Sequence, residues 1–243
     1  METLVILLSA VIPALVMVYF IYRKDKYEKE PAGQLLKGFG YGALAALASF
    51  FISVPGSLAG LFPKEINTVG DGIRTAFFAA AIPEELVKLL FLWLLLRKNQ
   101  YYNEYVDGAV YAVCVGMGFA ALENIMYLFS ETESWAAVGV LRALFSIPGH
   151  FFFAVIMGYY YSKASFGDRS RRHLNMLLAF VLPMLLHALF DALLMVSKAS
   201  GAVGALILLF LGLYIYMAVT TKKRFNQHLA RDEKRMGSPD IFS

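Results

Sequence analysis

Seven long apolar runs, separated by short polar segments, dominate the pattern of positions along the chain. Each run is close to or above the roughly 20 residues that an α-helix needs to cross the hydrocarbon core of a bilayer. The predicted fold class is therefore all-α, a polytopic transmembrane helical bundle of about seven spans. The predicted spans are Thr3 to Tyr22, Leu35 to Leu58, Ile73 to Leu96, Val106 to Phe129, Ala136 to Tyr161, Leu174 to Val196 and Gly201 to Thr220.

The composition supports a membrane protein and excludes an ordinary soluble domain. Of the 243 residues, 59% are hydrophobic, and the mean hydropathy is +0.60, both outside the usual range for a soluble chain. The loops are too short to hold a second folded unit, so we expect one transmembrane domain over residues 1–221. Residues 222–243 are polar and basic, and they are expected to form a cytoplasmic tail.

The basic residues alternate between the two sides of the predicted bundle. Seventeen of them fall in the first, third and fifth loops and in the tail, whereas the opposite side has only Lys64 and Lys198. By the positive-inside rule, the N-terminus lies outside and the C-terminus in the cytoplasm. Because topology explains the net charge of +4, no nucleic-acid partner is expected, and the basic tail is expected to be solvated or to lie against membrane lipid.

The third predicted span carries charged residues where an apolar helix should have none. Glu84 and Glu85 follow Pro83, and Lys88 lies four and three residues beyond the two carboxylates. These spacings allow an ion pair on one helix face, and charged residues at this depth are costly and usually functional. The proline should interrupt the helix just before the pair. The sequence therefore predicts an intramembrane site.

Three further spans carry polar side chains in the middle or outer half of the predicted bilayer. The fourth has Glu123 and Asn124, and the fifth has Arg142 and, after Pro148, His150. The sixth has His187 and Asp191, whose spacing of four places imidazole and carboxylate on one face. Their common depth predicts that these residues converge with the glutamate pair.

This set of side chains suits the hydrolysis of an amide bond in two ways. With a metal, Glu85, His150 and His187 would bind Zn²⁺ and leave a position open for water. Without a metal, a buried glutamate would act as a general base toward water, while a histidine and Asn124 stabilise the oxyanion. Asp191 would orient His187 in either case. The residues alone leave the presence of a metal open.

Two other classes of protein could use the same residues. A proton-coupled transporter could employ the Glu and His side chains as a relay, although such a relay should continue toward both membrane faces. A seven-helix membrane sensor is the third interpretation, but a cluster of two glutamates and two histidines has no obvious task in a ligand pocket. Hydrolysis of an amide bond therefore explains the polar residues inside the spans better than transport or sensing does.

In their order along the chain, these motifs resemble the PrsW family of bacterial intramembrane proteases. The family belongs to a superfamily that includes the CAAX prenyl endopeptidases and bacteriocin-processing enzymes. The resemblance extends over most of the chain and rests on the motifs Tyr22-Arg-Lys-Asp25-Lys-Tyr27-Glu-Lys-Glu30-Pro31, Pro83-Glu84-Glu85-Leu-Val-Lys88, Tyr105-Val-Asp107-Gly108-Ala-Val-Tyr111, Gly118-Phe119-Ala-Ala-Leu-Glu123-Asn124, Arg142-Ala-Leu with Pro148-Gly-His150, and His187-Ala-Leu-Phe-Asp191.

The resemblance implies an intramembrane endopeptidase of the bacterial cell membrane. It implies a catalytic core of Glu84, Glu85, His150 and His187, supported by Lys88, Glu123, Asn124, Arg142 and Asp191. Many relatives have asparagine at the position of Asp191. The implied substrate is a single-pass membrane anti-sigma factor, cut on its extracytoplasmic side in the first step of the proteolysis that releases a sigma factor.

Overall fold

The computed structural model describes residues 2–63, 65–130, 134–199 and 203–236, and no strand occurs among them. The chain within these ranges is almost entirely helical. The α-helices are α1 (Glu2–Lys24), α2 (Ala32–Leu58), α3 (Val69–Arg74), α4 (Ile82–Leu96), α5 (Tyr105–Ser130), α6 (Trp135–Leu141), α7 (Ile147–Phe166), α8 (Arg172–Ala199) and α9 (Val203–Met236).

These elements form seven spans, because two pairs of helices are fused through π-helical turns. The π-helix Thr75–Ala81 joins α3 to α4, and the π-helix Arg142–Ser146 joins α6 to α7. Six of the seven spans are long and apolar enough to cross a membrane. The remaining one, over residues 69–96, contains Glu84, Glu85 and Lys88. The prediction of a polytopic helical bundle with about seven spans is confirmed.

Helix α5 occupies the centre of the bundle and is buried along most of its length. It packs against α1, α2 and α7, and glycines allow the close approach. A Cβ atom on Gly42 of α2 would lie 2.0 Å from the carbonyl oxygen of Val115, and one on Gly118 of α5 would lie 1.9 Å from that of Phe39. No side chain fits at such distances, so α2 and α5 pack backbone to backbone.

The two π-helical turns precede the same short sequence, an Ile-Pro pair. Ile82-Pro83 begins α4 and Ile147-Pro148 begins α7. Proline has no N–H to donate to the preceding turn, and π-helical turns appear as local widenings of an α-helix, often at functional sites. Glu85 and His150 each come two residues after the proline, and both are buried. The two junctions therefore orient equivalent positions toward the interior.

The last helix continues well beyond the apolar segment predicted for it. Helix α9 runs unbroken through residue 222 to Met236, and Phe225, His228 and Asp232 on it are buried. The carboxylate of Asp232 accepts hydrogen bonds from the backbone N–H groups of Tyr105 and Val106, at 2.8 and 2.9 Å. The division into a domain over residues 1–221 and a tail over residues 222–243 remains a prediction.

The basic loops lie together at one end of the bundle, as an up-and-down arrangement requires. The C-terminal part of α9 reaches the first turn of α5 through Asp232, and Tyr111 of α5 donates a hydrogen bond to Glu30, just before α2. We call this the basic end, and it is the end that the charge distribution assigns to the cytoplasm. Lys64, expected on the opposite side, lies outside the described residues.

Candidate active site

Glu85 lies at the centre of the polar cluster and is fully buried. Its Oε1 atom accepts a hydrogen bond from Lys88 Nζ at 2.7 Å and lies 2.8 Å from His187 Nδ1. The spacing of three between Glu85 and Lys88 on α4 makes the ion pair local, whereas His187 comes from α8. One carboxylate oxygen therefore ties the third span to the sixth.

Glu84 lies beside this pair but makes looser interactions. Its Oε2 atom is 3.6 Å from Lys88 Nζ and 3.9 Å from His187 Nε2, and within the described structure it has no hydrogen-bond partner. The side chain is 14% exposed, whereas that of Glu85 is 0% exposed. Glu84 is thus the more exposed and less tightly held carboxylate of the pair.

His150 connects the glutamate pair to a second acid on α5. Its Nδ1 atom lies 3.2 Å from Lys88 Nζ, and its Nε2 atom lies 2.9 Å from Glu123 Oε2. Glu123 Oε2 also accepts a hydrogen bond from Arg142 Nη2 at 2.8 Å. Glu85 and Glu123 therefore each have a cation of their own, which offsets the cost of burying their charge.

Arg142 and Asn124 hold each other at the outer side of this network. Arg142 Nε donates to Asn124 Oδ1 at 2.5 Å, and Asn124 Nδ2 donates to the carbonyl of Ala10 at 3.4 Å. The guanidinium also lies 4.0 Å from the ring centroid of Tyr127. As both ends of the Asn124 amide are engaged, its visible role is to tie α1 and Arg142 to α5.

His187 is held from two further directions on α8 and α7. Asp191 Oδ2 lies 3.3 Å from His187 Nε2, as the spacing of four predicts. The ring of Phe153 stacks on the imidazole with 4.9 Å between centroids and an interplanar angle of 16°. On the other side of the cluster, Lys88 Nζ lies 4.0 Å from the ring centroid of Phe119. Aromatic walls thus confine the imidazole and the ammonium group.

All nine side chains expected at the site belong to one connected network of hydrogen bonds and ion pairs. Three aromatic rings border this network, and none of them was among the side chains expected at the site: they belong to Phe119, Tyr127 and Phe153. A signal for Phe153 was present, since it lies three residues after His150 and so on the same helix face. In an apolar chain so rich in phenylalanine, that spacing does not single it out.

Three ligand atoms in this network lie close enough together to hold a metal ion. They belong to Glu84, Glu123 and His150, and all lie within 4.8 Å of one another. This set differs from the predicted one of Glu85, His150 and His187. The physical reason is the position of Lys88, whose ammonium group lies between Glu85 and His150. The unpartnered oxygen of Glu84 and the mixture of oxygen and nitrogen donors fit a divalent cation such as zinc.

Comparison with known proteins gives one consistent result. The family described as PrsW family intramembrane metalloprotease matches residues 30–220, which include the whole network. A protein named Protease PrsW from Clostridioides difficile is 38% identical over 195 residues, covering 78% of this chain and 79% of its own length.

Two further relatives have the same name. The one from Geobacillus kaustophilus is 34% identical over 193 residues, covering 79% of this chain and 81% of its own. The one from Bacillus subtilis is 32% identical over 186 residues, covering 76% and 81%. No solved structure matches the chain.

Proposed function

The chain belongs to the PrsW family of intramembrane metalloproteases, and on this premise we propose that it cleaves a single-pass membrane anti-sigma factor on its extracytoplasmic side. As a family member it is an intramembrane endopeptidase and a multi-pass protein of the bacterial cell membrane. The expectation of an enzyme is thereby confirmed over the transporter and the sensor. The substrate, the roles of individual residues and the metal are the parts that we propose.

The observation that carries the proposal is the continuous acid–base network inside apolar spans. Charged groups in a bilayer interior are retained when they serve a function, and here the charges join four different spans. Peptide hydrolysis needs a group that takes a proton from water and a group that returns a proton to the leaving amine. The network contains carboxylates and imidazoles within hydrogen-bond distance of one another.

We assign different roles to the two adjacent glutamates. Glu84 contacts the attacking water and accepts its proton, because its side chain is 14% exposed, whereas that of Glu85 is 0% exposed, and its oxygen lies no closer than 3.6 Å to Lys88 and 3.9 Å to His187. Glu85 is occupied by Lys88 and His187. It therefore fixes the position of His187 and holds the ammonium group inside the protein.

The histidines and their partners supply the remaining steps. His187, with Glu85 at one ring nitrogen and Asp191 at the other, delivers a proton to the amine of the departing peptide. His150 is oriented by Glu123, and Glu123 in turn by Arg142. Arg142 is a positioning residue, because its contacts are to Glu123, Asn124 and Tyr127.

A metal fits beside these groups and would be held by Glu84, Glu123 and His150. With all four carboxylates of the network ionised and His187 protonated between Glu85 and Asp191, the cations Lys88, Arg142 and His187 leave one negative charge unbalanced. The ligand carboxylates would therefore attract a metal cation. When bound, such an ion supplies Lewis acidity toward the substrate carbonyl and toward water.

The substrate assignment rests on the family resemblance together with the position of the site. The network involves the outer halves of α5 and α8, on the side away from the basic end. A substrate segment that crosses the membrane once would be cut there near its extracytoplasmic side. For an anti-sigma factor, that cut would be the first step toward release of its sigma factor.

The experiment that tests this function compares the N-termini of membrane proteins in cells that express the intact chain or its Glu84→Gln variant. We expect a new extracytoplasmic terminus on a single-pass protein only with the intact chain. A second comparison uses Asp71→Asn, which lies in the same span but outside the network. Identical profiles for the intact chain and Glu84→Gln, under several envelope stresses and at matched abundance, would contradict the proposed substrate class.

A further inference from the structure

A cavity of about 480 Å³ lies at the basic end, well away from the candidate active site. Its walls come from α7, α8, α9 and the first residue of α5. Five cationic side chains line it, whereas the walls contain a single carboxylate, that of Asp168. The cations are Lys163, Arg171, Arg231, Lys234 and Arg235.

Two of the cationic groups, those of Arg231 and Arg235, contact aromatic rings and a backbone carbonyl. Arg231 lies 5.3 Å from the ring centroid of Tyr105, and Arg235 lies 5.6 Å from that of Phe166. Arg235 also donates to the carbonyl of Asn103 at 3.3 Å. These contacts order the guanidinium groups without neutralising their charge.

The acids near the cavity are engaged by other groups, and Asp232 accepts hydrogen bonds from the backbone N–H groups of Tyr105 and Val106. Asp168 accepts hydrogen bonds from the backbone N–H and the hydroxyl of Ser170, at 2.9 and 2.8 Å, so both of its oxygens are engaged locally. In the part of the chain that the structure describes, no ion pair joins Lys163, Arg171 or Arg231 to a carboxylate. The cavity therefore presents net positive charge to whatever enters it.

We propose that this cavity binds a phosphate group, and that its source is the headgroup of an anionic lipid in the cytoplasmic leaflet. Guanidinium groups match phosphate oxygens in geometry and charge. The volume lies within the range of small-molecule sites, and basic pockets between spans on the cytoplasmic side are suited to lipid headgroups.

An apolar path for the acyl chains leads away from the cavity. On α8, Leu174 lies one turn beyond Arg171, and Leu177 follows it; these side chains are 53% and 57% exposed. A lipid with its phosphate on Arg171 would lay its chains along this face. A soluble phosphate compound would leave it uncovered, which is why we favour the lipid.

The binding of one headgroup would link the cytoplasmic ends of three helices. Arg171 precedes α8, Lys163 is on α7 and Arg231 is on α9. An anion shared by them offsets the repulsion among the cations and stabilises the docking of the C-terminal part of α9. The lipid would then raise the stability of the folded protein, since any ligand that binds only the folded state does so.

The test measures binding of phosphatidylglycerol, phosphatidylcholine and inorganic phosphate to the purified full-length protein in detergent. The variant Arg171→Gln with Arg231→Gln is compared with Lys222→Gln plus Lys223→Gln, which removes the same charge from exposed positions on α9. We expect the cavity variant to bind phosphatidylglycerol roughly 30-fold more weakly, at about 1 kcal/mol for each basic residue. The control variant should bind nearly as tightly as the parent.

The outcomes separate the source of the phosphate from the existence of the site. Binding of phosphatidylglycerol but not of inorganic phosphate supports the lipid, whereas saturable binding of inorganic phosphate at the same side chains supports a phosphate site filled from solution. Equal losses in the two double variants would mean a diffuse electrostatic effect and would overturn the proposal. The single variant Arg171→Gln, at an exposed position, serves if the double variant fails to fold.

Discussion

Two clusters of buried carboxylates occupy opposite parts of this bundle, and they are stabilised differently. In the active-site cluster, Glu85 is 2.7 Å from Lys88, and Glu123 is 2.8 Å from Arg142. At the basic end, Asp25, Glu30 and Glu104 are also buried, yet no ion pair to them occurs within the described ranges. We call these three residues the basic-end acids.

The difference shows two ways to bury an acid. A neighbouring cation favours the ionised form, whereas burial alone favours the protonated form. Burial raises the pKa of Asp25 to about 6, and it raises the pKa values of Glu30 and Glu104 to about 7. Lys29 opposes the shift at Asp25 only in part. Glu85 and Glu123 of the candidate active site are thus held by close cations, whereas the raised pKa values of the basic-end acids place their protonation changes nearer neutral pH.

The largest expected effect is on the cleavage rate, which should fall when an acid of the candidate active site is replaced but not when a basic-end acid is replaced. Glu85→Gln should lower the rate of substrate cleavage by about 10³-fold, because it removes the carboxylate that holds the proton donor His187 in place, and acid–base catalysis of this kind contributes about 10²- to 10⁴-fold. Glu104→Gln, which removes a buried carboxylate from the other cluster, should leave the rate within a few-fold of the parent. The measurement is the cleavage of a reconstituted substrate by protein of equal abundance. Equal losses in the two variants would erase the functional distinction between the clusters.

The next largest effect is on stability and concerns Lys88, the cation that pairs with Glu85 and has no counterpart among the basic-end acids. Lys88→Met should lower the free energy of unfolding by about 3 kcal/mol, because it leaves buried carboxylates without their partner. Lys98→Met, at an exposed position just after the same span, is the matched control and should change little. The measurement is denaturant-induced unfolding in detergent. A Lys88→Met variant as stable as the control would indicate that the ion pair does not support the fold.

A smaller effect is expected on metal binding. Glu123→Gln should reduce the affinity for zinc by at least about tenfold, because it removes one of the three ligand atoms and the partner that orients His150. Glu104→Gln should bind zinc as the parent does. The measurement is the zinc content of each protein after dialysis against a series of free zinc concentrations, which gives the affinity. Unchanged binding in Glu123→Gln, together with a loss in His187→Gln, would favour the set of Glu85, His150 and His187.

The smallest effect is the response of stability to pH. Between about pH 4 and pH 7 the folded basic-end acids hold more protons than the unfolded chain does, so their contribution to stability falls as the pH rises. The melting temperature of an Asp25→Asn plus Glu104→Gln variant should therefore depend less on pH in this window. Glu233→Gln, an exposed acid on α9, should follow the parent. A double variant that also follows the parent curve would indicate that these acids do not titrate in this window.

The sequence was sufficient to predict the membrane spans and the residues that form the network. Apolar runs of membrane length predict the spans. Charges inside them predict a site, because a Glu-Glu-x-x-Lys segment is costly to place in a bilayer and is seldom found there without a function. The spacing of four also predicted the approach of Asp191 to His187.

The sequence could not predict which side-chain atoms come together to hold a metal, because that depends on the rotation of four helices about their axes. A sequence shows that Lys88 can face either glutamate, but not that its ammonium group lies between Glu85 and His150. The extension of α9 could have been found. The residues buried there at helical spacing are Thr221, Phe225, His228 and Asp232, but hydropathy alone hides an amphipathic face that contains a histidine and an aspartate.

The two π-helical turns also bear on how such a chain can diversify. A π-helical turn contains one residue more than the α-helical turn that it replaces, and one residue corresponds to about 100° of rotation in an α-helix. Deleting a single residue from Thr75–Ala81 would therefore turn α3 relative to Glu84 and Glu85, without altering any side chain of the network. A change of length by one residue is thus a way for descendants of this chain to alter the outer surface of the bundle while the chemistry stays in place.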